Sequence, residues 1–505
     1  MSKVLFIVLI GCLVFKILDI AYIFYRNSNE IHTPLFSLPN LDELELSPRD
    51  HFVYPEEEER FNWEQILEPC KSDLKWKFRT PQHQENQRRT SAIDSVIVYL
   101  EVNPAGYYSK FILHTKTRDG KAKSVGGDSW RAFLTGTAEQ SGIVYDNNDG
   151  TYEIWFFIAE PGNYELNLVL DYSLCDGLRD PPDRWFEKGN YQGKFQEDGI
   201  LGYLDDFLVE RSLPVPFKVN SQNEFNGSKP ERSKPRYSNI KIPCPNTSYC
   251  NLSCFFVWDG YGRWKNNGGK YSWTPNLPVL NPAKYNSKPK LETLWFLGDS
   301  LTYRFWDSSY TRVLCRQAFK KCSKTYTWVY KIDNRGEPRK PINVGLQFNQ
   351  TRFFEPLRDI LSKPEMQTNR SVLVINFGLH IITSLNFSVY QNLLDEFVHI
   401  LDLNRSQRNH SSSPRIIWKT TTLTHIENTK VWNRTYSRFM TNHRISLFNA
   451  YANQRLCSAG VTIFDIFPIS ASYYKGTKDH VHYEYFVFEP AEDSLADFVW
   501  KKYNT

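Results

Sequence analysis

Hydrophobic positions along this chain change their period twice. From about residue 61 to 218, short aromatic and β-branched runs alternate with turn residues: SVIVYLEV, KFILHTKTRD, TYEIWFFIAE and YELNLVLDY. Such runs predict strands throughout, hence an all-β domain. Asp149-Gly150 opens one run as a compact turn, and Pro161-Gly162 restarts the next. From Leu291 the rhythm becomes strand then helix. LETLWFLG precedes YRFWDSSYTRVLCRQAFKK, and SVLVINFG precedes YQNLLDEFVHILDL. RIIWKTT precedes YSRFMTNHRISLFNAYANQRL, and VTIFDIF precedes a loop and a terminal helix. Short apolar strands alternating with amphipathic helices predict a parallel sheet covered on both faces.

The intervals are read by their breakers. Residues 219–239 are polar, carry two prolines and a glycosylation signal, and read as a linker. The next stretch, CNLSCFFVWDGYGRWKNNGGKYSWTP, is dense in Gly and Trp and is expected to be an irregular aromatic cap. Pro341–Phe348 is a candidate for one more strand. At the front, Val4 to Phe15 is apolar without a break, and the run continues past Lys16 and Asp19 to Tyr25. That is about the length of a signal-peptide core or, counted to Tyr25, of a bilayer span of ~20 residues. Lys3 ahead of it favours a cytoplasmic N-terminus, so residues 1–25 are expected to be a signal anchor or a signal peptide. Residues 26–60 read as an acidic lumenal stem.

Composition narrows the compartment more than the chemistry. Nine Asn-x-Ser/Thr signals occur, at Asn226, Asn246, Asn251, Asn349, Asn369, Asn386, Asn404, Asn409 and Asn433. Of nine cysteines only Cys12 lies in the apolar segment, and the remaining eight allow four bridges of undetermined connectivity. In an oxidising lumen, Cys244, Cys250 and Cys254 are read as disulfide cysteines rather than metal ligands, and no metal site is expected. The net charge of +5 over 505 residues supplies no basic stripe for nucleic acid.

Chemistry concentrates at the carboxyl ends of the predicted parallel strands, where open α/β sheets place their functional groups. Asp299 and Ser300 follow the first strand; Asn376, Gly378 and His380 end SVLVINFGLH; Asp479 and His482 lie three apart after the last. A serine hydroxyl needs a base to take its proton, and the base needs a carboxylate to fix its tautomer. Ser300, His482 and Asp479 are the residue types for that work. The Ser300 backbone N–H and groups from Asp299, Asn376, Gly378 or His380 are candidates to surround a developing oxyanion. The plain alternative makes Ser300 a helix cap and Asp479-His482 a solvated turn. Another Gly-Asp-Ser, at Gly127–Ser129, has no helix after it and is read as a turn. His425 is read as bracing the rim, and His480 as pointing away from the site.

WFLGDSLTYRFW with a late DHVHY resembles the SGNH/GDSL hydrolase superfamily, and INFGLH with IIWKTTTLTH resembles its PC-esterase branch. Upstream, GGDSWRAFL, DNNDGTY and PGNY resemble late strands of filamin-type immunoglobulin-like repeats and, more closely, the neurexophilin-like domain. The whole order over residues 60–505 resembles the neurexophilin and PC-esterase domain (NXPE) family. The resemblance implies a β-sandwich at 61–218 and a flavodoxin-like SGNH domain at 240–505. It further implies Ser300 as nucleophile, His482 as base and Asp479 as its partner. The Gly-x-Asn-Asp block of bacterial relatives is absent, NFGLH standing near its place, and Gly345 is the nearest guess for the second-block glycine. The implied activity is O-acetyl transfer to, or O-acetyl ester hydrolysis from, glycan hydroxyls such as those of sialic acids. Hydrolysis implies no cofactor, and transfer implies a donor such as acetyl-CoA. The expected setting is the secretory pathway, Golgi-anchored or secreted. The rival expectation is a non-catalytic binding protein that meets a cell-surface partner through its sandwich.

Overall fold

The computed structural model describes residues 60–76, 88–182, 210–222, 255–258, 260–276, 291–327, 348–406, 412–428 and 439–503. All belong to one of the two compact units into which the chain divides, Val53–Thr505. The expected anchor, the stem apart from Arg60, most of the linker, Cys244, Cys250, Cys254 and Gly345 lie outside the described residues. No helix among the described residues is long and apolar enough to cross a membrane.

The first half is antiparallel. One sheet runs β1 (Thr90–Glu101), β2 (Tyr107–Thr117), β6 (Thr151–Ile158), β5 (Ile143–Asp146). The other runs β4 (Gln140–Ser141), β3 (Ser129–Gly136), β7 (Gly162–Tyr172), β8 (Glu210–Arg211), with β9 (Val215–Val219) also on β7. Alternate residues of both sheets meet in one core, among them Phe111, Leu113, Leu134, Ile154, Phe156, Leu166 and Leu168. This is the two-layer solution that period-2 patterning dictates. The early Gly-Asp-Ser is structural. Asp128 is buried and accepts from Lys123 Nζ at 2.9 Å, Thr90 Oγ1 at 2.5 Å and Ser173 Oγ at 2.7 Å. Gly127 leaves room for the disulfide Cys70–Cys175, since a Cβ there would lie 2.5 Å from the Cys175 sulfur.

The second half holds a six-stranded parallel sheet in the order β10-β17-β16-β15-β13-β14. Its strands are β10 (Phe256–Trp258), β13 (Leu291–Gly298), β14 (Phe319–Tyr326), β15 (Val372–Ile375), β16 (Arg415–Lys419) and β17 (Thr462–Phe464). Trp295, Leu297, Leu373, Ile375 and Trp418 face one core, whereas Leu294, Phe296, Val372, Val374 and Ile417 face another. Both faces are buried, which is why these strands read as unbroken apolar runs. On the first face lie α3 (Gln350–Phe353), α4 (Glu355–Ser362), α5 (Gly378–Ser384), α6 (Phe387–Ser406) and α7 (Asn442–Ser458). On the second lie most of α2 (Ser300–Tyr310), α8 (Phe467–Ala471) and α9 (Glu489–Tyr503).

Two expectations change. The described residues of the Gly- and Trp-rich stretch are not irregular: β10 joins the sheet beside β17, and β11 (Gly262–Asn267) pairs with β12 (Lys270–Pro275) as a hairpin. The hairpin buries Trp264 against Trp273, Tyr473 and Phe486. The helix expected to reach Lys321 instead stops at Tyr310; a π-turn spans Leu314–Ala318 and β14 begins at Phe319. β14 is an edge strand, and Lys320, Lys321 and Lys324 suit an edge as well as they suit a helix surface. Cys315–Cys322 is a disulfide across this change of direction, and Cys457 is disulfide-bonded as well. Such bonds belong to a protein that folds in an oxidising compartment, extracellular or in the secretory lumen.

Buried charge joins the halves. Arg131 of β3 pairs with Asp171 of β7 at 2.7 Å and with Glu427 of the second half at 3.1 Å. Asn442 also donates to Asp171 at 3.2 Å. Arg444, fully buried, donates to the carbonyls of Ile382, Leu385 and Arg179 and to Asp180, which clamps the exit of β7 onto α5 and α7. Ahead of β1, α1 (Trp63–Leu67) packs on α7, with Arg60 bonded to Asp465 at 2.9 Å and Trp63 Nε1 donating to Gln454 at 2.6 Å.

Burial alone would raise the Glu427 carboxyl, but the His425 hydrogen bond and the Arg131 charge outweigh it and hold it at about 2. A carboxyl so depressed contributes fully above its ordinary value of 4.5 and loses that contribution as pH falls towards 2. Arg131→Met is expected to cost about 3–5 kcal/mol in urea unfolding at pH 7, because two carboxylates lose their partner. The gap from wild type should narrow as pH falls below about 4.5. A gap that stays constant with pH would rule out this pairing.

Candidate functional site

The site is assembled at the reversal of strand order between β13 and β15, the position that open parallel sheets leave as a crevice. β13 ends at Gly298, and Asp299 caps α2 by accepting the Leu301 N–H at 3.0 Å. The capping role therefore belongs to Asp299. Ser300 is the first helical residue, and its hydroxyl is left for other work.

That work is visible in its partners. The Ser300 hydroxyl lies 3.1 Å from His482 Nε2, and His482 Nδ1 lies 2.8 Å from Asp479 Oδ2. An ionised carboxylate only accepts, so Nδ1 carries the proton and Nε2 is left to accept from the serine. The three side chains, from two ends of the domain, form one hydrogen-bonded line.

The loop bearing two of them is tightly specified. Asp479 Oδ1 accepts from the N–H groups of Val481 and His482, both at 2.8 Å, folding the Asp-x-x-His turn back on itself. Burial would raise the Asp479 carboxyl, but its bonds from the His482 ring and these two amides win and drive it far below the usual range. The loop is pinned from outside by His425 N–H to the His480 carbonyl at 3.1 Å, Asn428 to Thr477 at 2.7 Å and Tyr483 to Leu423 at 2.8 Å. Gly476, at φ +68°, gives the His425 ring its place: a Cβ would meet that ring at 2.5 Å. His425 braces the rim, as its position in the sequence suggested.

The remaining candidates take structural positions. The second oxygen of Asp299 accepts the Leu379 N–H at 2.9 Å, which couples the starts of α2 and α5. Burial pushes the Asp299 carboxyl up, against the nearby Lys419 charge. Burial likewise lowers the Lys419 ammonium to about 8, with Asp299 opposing the shift. Asn376 is buried and turned to β16: its amide donates to the Lys419 carbonyl at 2.7 Å and to Thr421 Oγ1 at 3.1 Å. Burial lowers His380 to about 3, helped by the charges of His482 and His480, so its ring stays neutral. Among the described residues no cluster of His, Cys, Asp or Glu could hold a metal.

One group was not read from the sequence. Tyr326, the last residue of β14, sits opposite Gly298 of β13, and its ring lies near that of Tyr303 in α2, with centroids 6.4 Å apart. The signal that would have found it is the alternation in FKKCSKTY, masked by lysines that continue the helical pattern of α2.

No family model matches the sequence. Among solved structures, the chain is similar to the crystal structure of the Lin-41 filamin domain at 16% identity and a TM-score of 0.14, covering 16% of this chain and 82% of that one. A second solved chain is matched over its whole length and 43% of this one, at 13% identity and a TM-score of 0.30. Likenesses of this size say nothing of chemistry.

Gly378 is the residue on which the Asp299 arrangement turns. Its φ is +72°, and a Cβ would lie 2.0 Å from Asp299 Oδ2. Gly378→Ala is expected to cost on the order of 1–3 kcal/mol and to speed amide exchange at Leu301 and Leu379, about tenfold for each ~1.4 kcal/mol. Gly120→Ala is the control, equally left-handed at φ +77° with nothing within 4 Å. Equal exchange at Leu301 and Leu379 in the two variants would remove the crowding argument.

Proposed function

We propose that this protein performs acyl-ester chemistry through an acyl-serine at Ser300, on glycan hydroxyls in the secretory pathway. The observation that carries the reading is the line from Asp479 through His482 to Ser300, 2.8 and 3.1 Å long. Ser300 Oγ attacks the acyl carbonyl while His482 Nε2 takes its proton, and the imidazolium is stabilised by Asp479. His482 returns the proton to the departing oxygen or sulfur, leaving an ester on Ser300. A water or a sugar hydroxyl, deprotonated by the same imidazole, then attacks that ester and frees the serine.

The strand order β14-β13-β15-β16-β17 supports reading the second half as a flavodoxin-like doubly wound fold. With the motifs around Ser300 and Asp479 it supports placing the second half in the SGNH class, PC-esterase branch, and the whole in the NXPE family. The sandwich fits the neurexophilin-like half of that order. The glycan substrate, O-acetylated sugars such as sialic acids, comes from this resemblance together with a lumenal setting. In the transfer case an acyl thioester such as acetyl-CoA is a substrate, and in the hydrolytic case none is needed.

The test is acetyl-ester hydrolysis, and acetyl transfer to sialylated glycans read by mass, with the purified protein. Ser300→Ala and His482→Ala should abolish both, and Asp479→Asn should lower kcat by about 10²–10⁴ through loss of the oriented base. His480→Ala should stay close to wild type. Equal rates in wild type and Ser300→Ala, both folded, would end the enzymatic reading and leave the sandwich as the working surface.

A further inference from the structure

Two cations on the elements that bound Ser300 are held in place without being neutralised. On β14, Lys320 pairs with Glu292 at 2.8 Å and Lys321 with Glu365 at 2.9 Å. Lys324, further along the strand towards the rim that bears Ser300, meets no carboxylate among the described residues. Its ammonium lies instead over the rings of Tyr303 and Trp306 in α2, 3.3 and 3.5 Å from their centroids. The same contrast marks α2. Arg312, just past its end, meets Glu489, Glu492 and Asp493 at 3.1, 2.8 and 2.7 Å. Arg304, one turn from Ser300, meets no carboxylate among the described residues and lies 5.8 Å from the centroid of Tyr485. The acids nearest these rings are already engaged: Asp307 accepts from the Tyr485 hydroxyl at 3.0 Å, and Glu484 holds Lys478 at 2.7 Å.

An aromatic face attracts a cation through its quadrupole, which fixes the cation's position and leaves its net charge intact. Positive charge is therefore set in place beside the nucleophile before any ligand arrives. At 3.6 residues per turn, Tyr303 lies about 60° to one side of Ser300 around α2 and Arg304 about 40° to the other. Lys324 comes in over Tyr303, and Arg304 stands beside Tyr485, three residues beyond His482. The two cations thus lie on opposite sides of the line that runs down α2 from the serine. Tyr303 and Tyr485 are 40 % and 43 % exposed, so the surface between them is open to a ligand.

Resting on the acyl-serine reading, we propose that Lys324 and Arg304 form a subsite for the carboxylate of an acidic sugar, selecting anionic over neutral glycans at Ser300. The ligand must bring a negative charge to these cations and a hydroxyl, free or acylated, to the serine. A sugar that carries a carboxylate has both on one small ring. The Arg304 guanidinium presents a planar fork that matches two carboxylate oxygens, and Lys324 adds a compact charge from the other side. Tyr303, Trp306 and Tyr485 act through these two side chains, by holding them where the carboxylate arrives.

The test compares a sialoside with its carboxyl methyl ester, alike in shape and different in charge. Binding of the pair is titrated calorimetrically on Ser300→Ala. Turnover is read by mass on the otherwise unaltered protein, as hydrolysis of the O-acetylated pair and as transfer from acetyl-CoA to the unacetylated pair. The acid should exceed its ester about 10–100-fold in affinity and in kcat/KM, and by less in 1 M salt. Arg304→Gln and Lys324→Met should each bring that ratio towards one, chiefly through KM. Lys324→Arg should hold it, and Lys320→Met, at the glutamate-paired lysine, should leave it as in wild type. Equal treatment of acid and ester by the wild type overturns the subsite, as does a wild-type ratio in both Arg304→Gln and Lys324→Met. A raised KM for acetyl-CoA with that ratio unchanged assigns the cations to the donor's phosphates and overturns it too. Acid preference in binding, with Ser300→Ala turning over as fast as wild type, removes the acyl-serine reading and leaves the subsite standing.

Discussion

The carboxylate of Asp299 is the constraint on which the site is built. It is wholly buried, with one oxygen on the Leu301 amide and the other on the Leu379 amide, so a single side chain joins the ends of β13 and β15. An anion taken out of water is costly unless it is bonded and opposed by a cation, and Lys419, at the end of the next strand, is equally buried. The need for close approach explains the glycines around it. Gly298 admits Thr302 Oγ1 at 2.3 Å of where a Cβ would be, and Gly378 admits the carboxylate itself. With Asp299 acting as cap, Ser300 stands first in α2 with its hydroxyl free for the imidazole.

The other half of the site depends on the antiparallel half of the molecule, which contributes no side chain to the line of Ser300, His482 and Asp479. Arg131 holds Glu427, and the same short segment carries His425 and Asn428, whose bonds fix the backbone at residues 477 and 480. The Asp479-His482 turn thus rests on a loop that rests on the sandwich. Positioning of this kind matters to chemistry because misplacing a base by about 1 Å costs on the order of 10²-fold in rate. The sandwich serves the site mechanically, whatever else its outer faces meet.

Legibility in the sequence followed the strength of local patterning. The parallel strands stood out because burial on both faces leaves no polar position in LWFL or VLVI, and the Asp-x-x-His turn stood out because its bonds are local. The passage from α2 to β14 did not. Lysines on an edge strand resemble lysines on a helix, and the turn between them depends on pairing with β13 and on the Cys315–Cys322 bridge. The hairpin of β11 and β12 was hidden in the same way, since Trp264 is a core residue only because Tyr473 and Phe486 arrive from some 200 positions away. Asn376 resembled an oxyanion donor, and only the approach of β16 turns its amide aside.

The sequence by itself determined the two-part architecture, the oxidising setting, and the residue types able to form a charge-relay line. Each of these follows from composition, from hydrophobic period, or from contacts a few residues apart. Tertiary structure alone decided that Ser300 meets His482 across 182 positions, that Tyr326 stands in register with Gly298, and that Arg131 supports the loop bearing His425. The physical reason is that period and propensity act over one or two turns of chain. The register of a parallel strand and the pairing of buried charges are settled only when distant segments are packed together and must satisfy one another.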